Sequence, residues 1–124
     1  MENTYITIIK RNRVTRIEVG EILLVERKGR KLLIHTKDEV IDYYEKMENV
    51  IPLLDERFYP CLQGCYVNFN HITDMIDREI SFDNGESFSI GRANFIKTRQ
   101  NFILYLKKTY KDVKNACNFN EISI

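Results

Sequence analysis

Asp83-Asn84-Gly85 separates Ile80 and Phe82 on one side from Phe88 and Ile90 on the other, and this arrangement constrains the fold more than any other stretch of the chain. Asn and Gly accept positive φ at little steric cost, so two short apolar arms joined by them close as a β-hairpin. Residues 21–36 repeat the logic. Two apolar runs flank Arg27-Lys28-Gly29-Arg30, which predicts a second hairpin with a cationic tip.

The remaining segments are read around these two turns. Residues 4–10, rich in β-branched side chains, predict a strand, and Arg16 to Val19 is expected to continue its pairing. Val40 to Tyr43 begins another strand. Tyr44, Met47, Val50, Ile51 and Leu54 then recur at helical spacing, with Pro52 placed to kink or end that helix. Cys65, Val67 and Phe69 alternate with Tyr66, Asn68 and Asn70 as in a half-buried strand, whereas Ile72, Met75 and Ile76 suggest a short helical turn. Asn94 is expected to open a final helix with Phe95, Ile96, Phe102, Ile103 and Leu106 on its apolar side, fading near Tyr110. Residues 115–124 show little periodicity and read as a tail.

With 124 residues, the chain supports one modest core. No apolar run approaches the ~18 residues that suggest a membrane span, and MENTYITIIKRNR lacks the order of a secretion signal, so a soluble, cytoplasmic protein is expected. Net charge is +1, which by itself is silent about a polyanionic partner. Its distribution is not. Lys10, Arg11, Arg13 and Arg16 form one basic stretch, residues 27–31 a second and residues 92–114 a third, while residues 38–56 are mainly acidic. Separate basic and acidic faces are expected, and a basic face concentrates an anionic partner even when total charge is near zero. The competing reading is that these are simply solvated faces.

Cys61 and Cys65 lie in FYPCLQGCYVN. The spacing is not the C-x2-C of a zinc knuckle, and His35 and His71 are the only histidines. Metal binding is therefore set aside in favour of buried thiols packing as small apolar groups, with redox sensing through Cys61 a secondary reading. Three cysteines without an export signal give no disulfide framework. No glycine-rich phosphate loop, nucleophile signature or paired carboxylate motif is present, so neither an enzyme nor a cofactor is expected.

Taken in order, VGEILLVERKGRKLLIHT, VIDYYEKMENVIPLLDERFYPCLQGCYVNFNHITDM and FDNGESFSIGRANFIKTRQNFILYL carry a family pattern. The first holds a hydrophobic run ending in Glu before a basic turn. The second holds a short helix, an aromatic entry and a strand ending in Val-Asn; the third holds an Asp-Asn-Gly hairpin and a closing helix. Over roughly residues 4–109 the chain resembles the LytTR family of bacterial DNA-binding domains. The resemblance implies a fold that is mainly β with short helices, a LytTR-like arrangement of several small antiparallel sheets, with a domain over residues 1–109 and a tail over 110–124.

It also implies a transcriptional regulator that reads the major groove of double-stranded DNA through loops. Paired direct repeats are the expected target, with a homodimer on DNA left open. By position, Arg30 falls in the first contact loop, Gln63 in the second and Arg92 in the third. Arg92 suits guanine and Gln63 adenine, while Lys28, Lys31 and Lys97 suit phosphates. Where the family usually carries Arg, His, Arg or Lys, and Ser, this chain has Pro60, Leu62, Gln63 and Gly64. The second loop thereby loses charge and hydrogen-bonding capacity. The alternative function is accordingly a protein-interaction module of the same fold with weakened or lost DNA binding, modulating another regulator. About twenty residues precede EILLVE and read as strands of this domain, which suggests a stand-alone module or a fragment of a longer protein, without a receiver domain.

Overall fold

The computed structural model describes residues 4–110, so the predicted tail and Cys117 lie outside the described residues. Ten strands and two helices follow one another among them: β1 (Tyr5–Lys10), β2 (Arg13–Glu18), β3 (Ile22–Lys28), β4 (Lys31–Thr36), β5 (Val40–Tyr44), α1 (Met47–Val50), β6 (Phe58–Leu62), β7 (Cys65–Asn68), β8 (Ile72–Ile76), β9 (Glu79–Phe82), β10 (Ser87–Ser89) and α2 (Arg92–Thr109). They form an antiparallel β1-β2 hairpin, a five-stranded antiparallel sheet ordered β5-β4-β3-β7-β6 and a three-stranded one ordered β10-β9-β8. The mainly β expectation holds.

The five-stranded sheet divides two cores because successive side chains point to opposite faces. Val25, Leu32, Ile34 and Ile41 turn to one face, where Ile6, Ile8 and Ile17 of the hairpin, Met47 and Val50 of α1, and Phe58 cover them. Leu24, Cys65 and Val67 turn to the other, under Phe69, Ile72, Ile80, Phe82 and Ile90, with Phe95, Phe102 and Tyr105 of α2 packed alongside. Ile8, Val25, Leu32, Ile34, Val67 and Ile80 are all 0% exposed. Burying each such side chain stabilises the fold by about 1.5–3 kcal/mol before chain entropy is counted.

Several elements differ from the sequence reading. Residues 72–76 form β8, not a helical turn. The ladder skips Thr73, pairing Ile72 with Phe82 and Met75 with Ile80. That bulge puts two apolar residues three apart on one strand face, which imitates helical spacing. The helix predicted from Tyr44 to Leu54 shrinks to α1 and a 3-10 turn at Ile51–Leu53, with Pro52 inside the turn and Tyr44 still in β5. Residues 69–71 form another 3-10 turn instead of extending β7.

Asn68, read as a solvent-facing strand residue, is wholly buried. Its amide donates to the Ile22 carbonyl at 2.8 Å and its Oδ1 accepts from the Asn70 N–H at 2.9 Å, so both ends of the buried group are satisfied. The last helix begins at Arg92 behind Gly91, not at Asn94, and ends at Thr109 beside the expected Tyr110 boundary. Ile96 does not join its buried side, being 44% exposed, whereas Thr98 is wholly buried.

Candidate nucleic-acid interface

Antiparallel pairing places the β3-β4 and β6-β7 turns at one end of the five-stranded sheet. Lys28 pairs with Lys31 at the first turn, and Glu26 pairs with Cys65 beside the second. The Arg27 N–H donates to the Gly64 carbonyl at 2.7 Å, joining the two turns directly. Gly64 has φ +75°, and a Cβ there would lie 3.6 Å from the Arg27 Cβ, so glycine supplies the turn conformation while the Arg27 stem packs across it. Gly29, with φ +64°, performs the equivalent bend next to Arg30 in open space.

The third segment arrives through α2. Phe69 lies 5.2 Å from Phe102, 5.3 Å from Tyr105 and 5.5 Å from Tyr59, between ring centroids. The Asn101 side chain donates to the Tyr59 hydroxyl at 3.1 Å and to the Lys97 carbonyl at 2.9 Å, and the Tyr105 hydroxyl donates to Asn70. These contacts hold α2 along β6. Its first turns consequently border the β6-β7 turn, and an open hollow there is lined by Pro60, Cys61, Gln63, Gly64, Asn94 and Lys97.

Arg92 occupies the first helical position, exposed to solvent. Gly91 supplies no side-chain cap, so the leading N–H groups of this 18-residue helix retain free donors toward solvent. Arg30, Lys28 and Gln63 are likewise exposed on the two turns or beside them. Among the described residues, the side chains of Lys28, Arg30, Arg92 and Lys97 have no hydrogen-bond or ion-pair partner.

Lys31 differs. Its Nζ lies 3.2 Å from Asp42 Oδ2 and 5.1 Å from the Tyr44 ring centroid. Hydrogen bonds from Lys31 and Lys10 hold the Asp42 carboxyl below its ordinary range, and the same bond raises Lys31. The structure therefore gathers Lys28, Arg30, Gln63 and Lys97 around two joined turns, with Arg92 at the head of the adjoining helix, and ties Lys31 to a carboxylate.

The expectation of separate basic and acidic faces is corrected at three cations. Lys10 binds Asp42 at 3.3 Å, and Arg13 grips Glu39 with two bonds of 2.9 and 3.1 Å. Basic and acidic segments interlock there because β5 runs beside the β1-β2 hairpin. Sequence reasoning missed two members of the site. Arg27 was visible only as part of a charge cluster, and Asn94 was read as a helix opener. Its i,i+3 spacing to Lys97 was the available signal that both share the first turns of α2.

Among the described residues, no group of three or more His, Cys, Asp or Glu side chains is disposed to hold a metal. No described helix is long and apolar enough to cross a membrane.

Comparison with known proteins follows the same lines. The model of the LytTr DNA-binding domain family matches residues 12–103. A solved LytTr DNA-binding domain from Bacillus cereus, belonging to a protein described as a methyl-accepting/DNA response regulator, superposes with a TM-score of 0.66 at 18% identity, over 81% of this chain and 97% of that one. At that identity the likeness concerns the fold. Comparison with curated proteins gives no match.

Proposed function

The chain belongs to the LytTr DNA-binding domain family, and from that premise we propose that it is a sequence-specific regulator of transcription that reads the major groove of double-stranded DNA. The observation that carries the reading is the junction of the β3-β4 and β6-β7 turns through the Arg27–Gly64 hydrogen bond, with the first turns of α2 bordering the second of them. Three segments distant in sequence thereby form one continuous edge along which a duplex can run.

Each group has a role that follows from its chemistry. Arg92 carries a guanidinium fork suited to the two acceptors of a guanine edge, and Gln63 carries the donor and acceptor that match adenine. Lys28, Arg30 and Lys97 offer unpaired positive charge to phosphates, and the uncapped start of α2 adds backbone donors of the same polarity. Lys31 contributes less while Asp42 holds it. Paired direct repeats, occupied by two copies, are the proposed form of the target, and a cytoplasmic location accompanies that role.

Selection from a random duplex pool at low salt tests this. Enrichment of spaced repeats is expected. Failure to enrich any sequence, with no salt-dependent affinity, would overturn the reading in favour of a protein-binding module of the same fold. The charge-poor Pro60, Leu62 and Gly64 around Gln63 are the feature that favours that second reading.

A further inference from the structure

Cys61 and Cys65 are separated by the turn that carries Gln63, and their sulfurs lie 3.7 Å apart. Both residues are buried, on the sheet face that packs against α2. Apolar packing alone does not require two thiols to face one another across a reading turn. The ladder pairs Pro60 with Tyr66 and Leu62 with Cys65 and skips Cys61, so Cys61 sits at an irregularity of β6 instead of in a regular pair.

We infer that Cys61 and Cys65 form a peroxide-reactive dithiol, an oxidative modification site that closes to a disulfide and thereby displaces the Gln63-Gly64 turn. The reactant class is a hydroperoxide, ROOH. This extends to regulation the DNA-binding role proposed above and rests on that reading for its consequence, although the chemistry itself does not.

Access comes through the hollow beside α2, about 480 Å³ in volume and bordered by Cys61, Gln63, Gly64 and Lys97. It is ample for a reactant little larger than water, whose share of liquid volume is about 30 Å³. The two sulfurs are not equivalent. Hydrogen bonding to Cys61 and burial push the Cys65 thiol up, whereas the same contact draws Cys61 down, so the Cys61 sulfur is the first to ionise. Glu26 opposes that ionisation in part, without reversing it.

The chemistry balances without further reagents. The Cys61 thiolate attacks one peroxide oxygen, the O–O bond breaks and RO⁻ leaves to take up a proton as ROH, giving the Cys61 sulfenic acid. Cys65 then loses its proton as its sulfur displaces hydroxide from that acid, forming the S–S bond and releasing water. Two thiols lose two electrons and two protons, and ROOH becomes ROH and H2O. A dithiol reductant reverses the change by exchange.

Closure brings the sulfurs together by roughly 1.7 Å, to the ~2.05 Å of a disulfide. The movement falls on the intervening Leu62-Gln63-Gly64, and therefore on the Arg27–Gly64 bond that joins the two reading turns. Oxidation is expected to weaken sequence-specific binding.

The test uses the full chain with Cys117→Ser, treated with hydrogen peroxide and divided between mass spectrometry, amide hydrogen exchange and titration of the selected DNA. A single tryptic fragment, Phe58 to Arg78, holds both thiols. The expected result is a fragment lighter by two hydrogens and resistant to alkylation, altered exchange at residues 62–64, and roughly tenfold weaker DNA binding, all restored by dithiothreitol. Cys65→Ser, or Cys65→Ala if the serine variant is unfolded by circular dichroism, is expected to lose the mass change and the affinity change together. A fragment of unchanged mass, or a disulfide that leaves exchange at residues 62–64 unaltered, overturns the inference whether or not the protein binds DNA. Absence of DNA binding by the reduced protein instead overturns the functional reading, while mass and exchange still decide the dithiol.

Discussion

Lys10, Arg13 and Lys31 lie against Asp42 and Glu39, whereas the side chains of Lys28, Arg30, Arg92 and Lys97 meet no acid or other bonding partner among the described residues. Both groups look alike as clusters in the sequence. In the fold, the first fastens the β1-β2 hairpin and β4 to the β5 region, while the second stands at or beside the β3-β4 and β6-β7 turns and the head of α2. A cation already bound to a carboxylate must surrender that contact before it neutralises a phosphate, so under the proposed function the unpaired group is the one available to release counterions from DNA.

The largest expected effect breaks the comparison if it fails. Arg92→Ala should weaken binding to the selected site by about 1–3 kcal/mol and relax preference at one base pair. Lys10→Ala and Arg13→Ala should leave affinity nearly unchanged. Titration of matched and mismatched duplexes checks both, and equal losses in the two groups would mean that ion pairing within the protein does not sort its cations.

A smaller effect separates phosphate from base contacts. Lys97→Ala and Lys28→Ala should each weaken all sequences alike and reduce the slope of log affinity against log salt by about 0.9. Asp42→Asn sharpens the comparison from the other side. It releases Lys31 and Lys10, so binding to unrelated duplex DNA should strengthen slightly and the salt slope should steepen. An unaltered slope would show that freeing Lys31 does not bring it to the duplex.

The hairpin of residues 78–91 was legible because Asp83-Asn84-Gly85 states its turn chemistry locally. Gly85 does adopt φ +92°, and Phe88 pairs with Ile80 as the alternation requires. The turn before it was not legible. Asp77 and Arg78 take φ of +53° and +67° without a glycine, a conformation imposed by the β8-β9 pairing and not announced by residue type. Of the site, the cationic turn could be placed from sequence because it joins two recognisable apolar runs, whereas Arg92, assigned to a loop ahead of a helix opening at Asn94, is the first residue of that helix. The Arg27–Gly64 link and the partnership of Lys31 with Asp42 could not, since both depend on contacts between strands whose register the sequence does not state. Cys61 and Cys65 were legible as inward-facing residues, but their 3.7 Å separation follows from an irregularity in β6 that no spacing rule reveals.

The smallest effect concerns stability in acid and applies only to the paired group. Hydrogen bonds from Arg13 and from Lys31 and Lys10 hold the carboxyls of Glu39 and Asp42 below their ordinary values of 4.5 and 3.8. A carboxyl depressed by folding is bound as the anion more strongly in the native state than in the unfolded chain. Its contribution is complete above the unfolded value and disappears as pH falls through the lower folded value. The loss therefore begins below about pH 4.5, and exposure to solvent keeps it small. Glu39→Gln and Asp42→Asn together should flatten the acid limb of a denaturation profile measured between pH 5 and 2. Arg30→Ala and Arg92→Ala should leave that limb in place, because neither guanidinium holds a carboxylate whose protonation it could oppose. An acid limb equally flattened by Arg92→Ala would reveal an ion pair at the head of α2 and would merge the two groups of cations that the fold keeps apart.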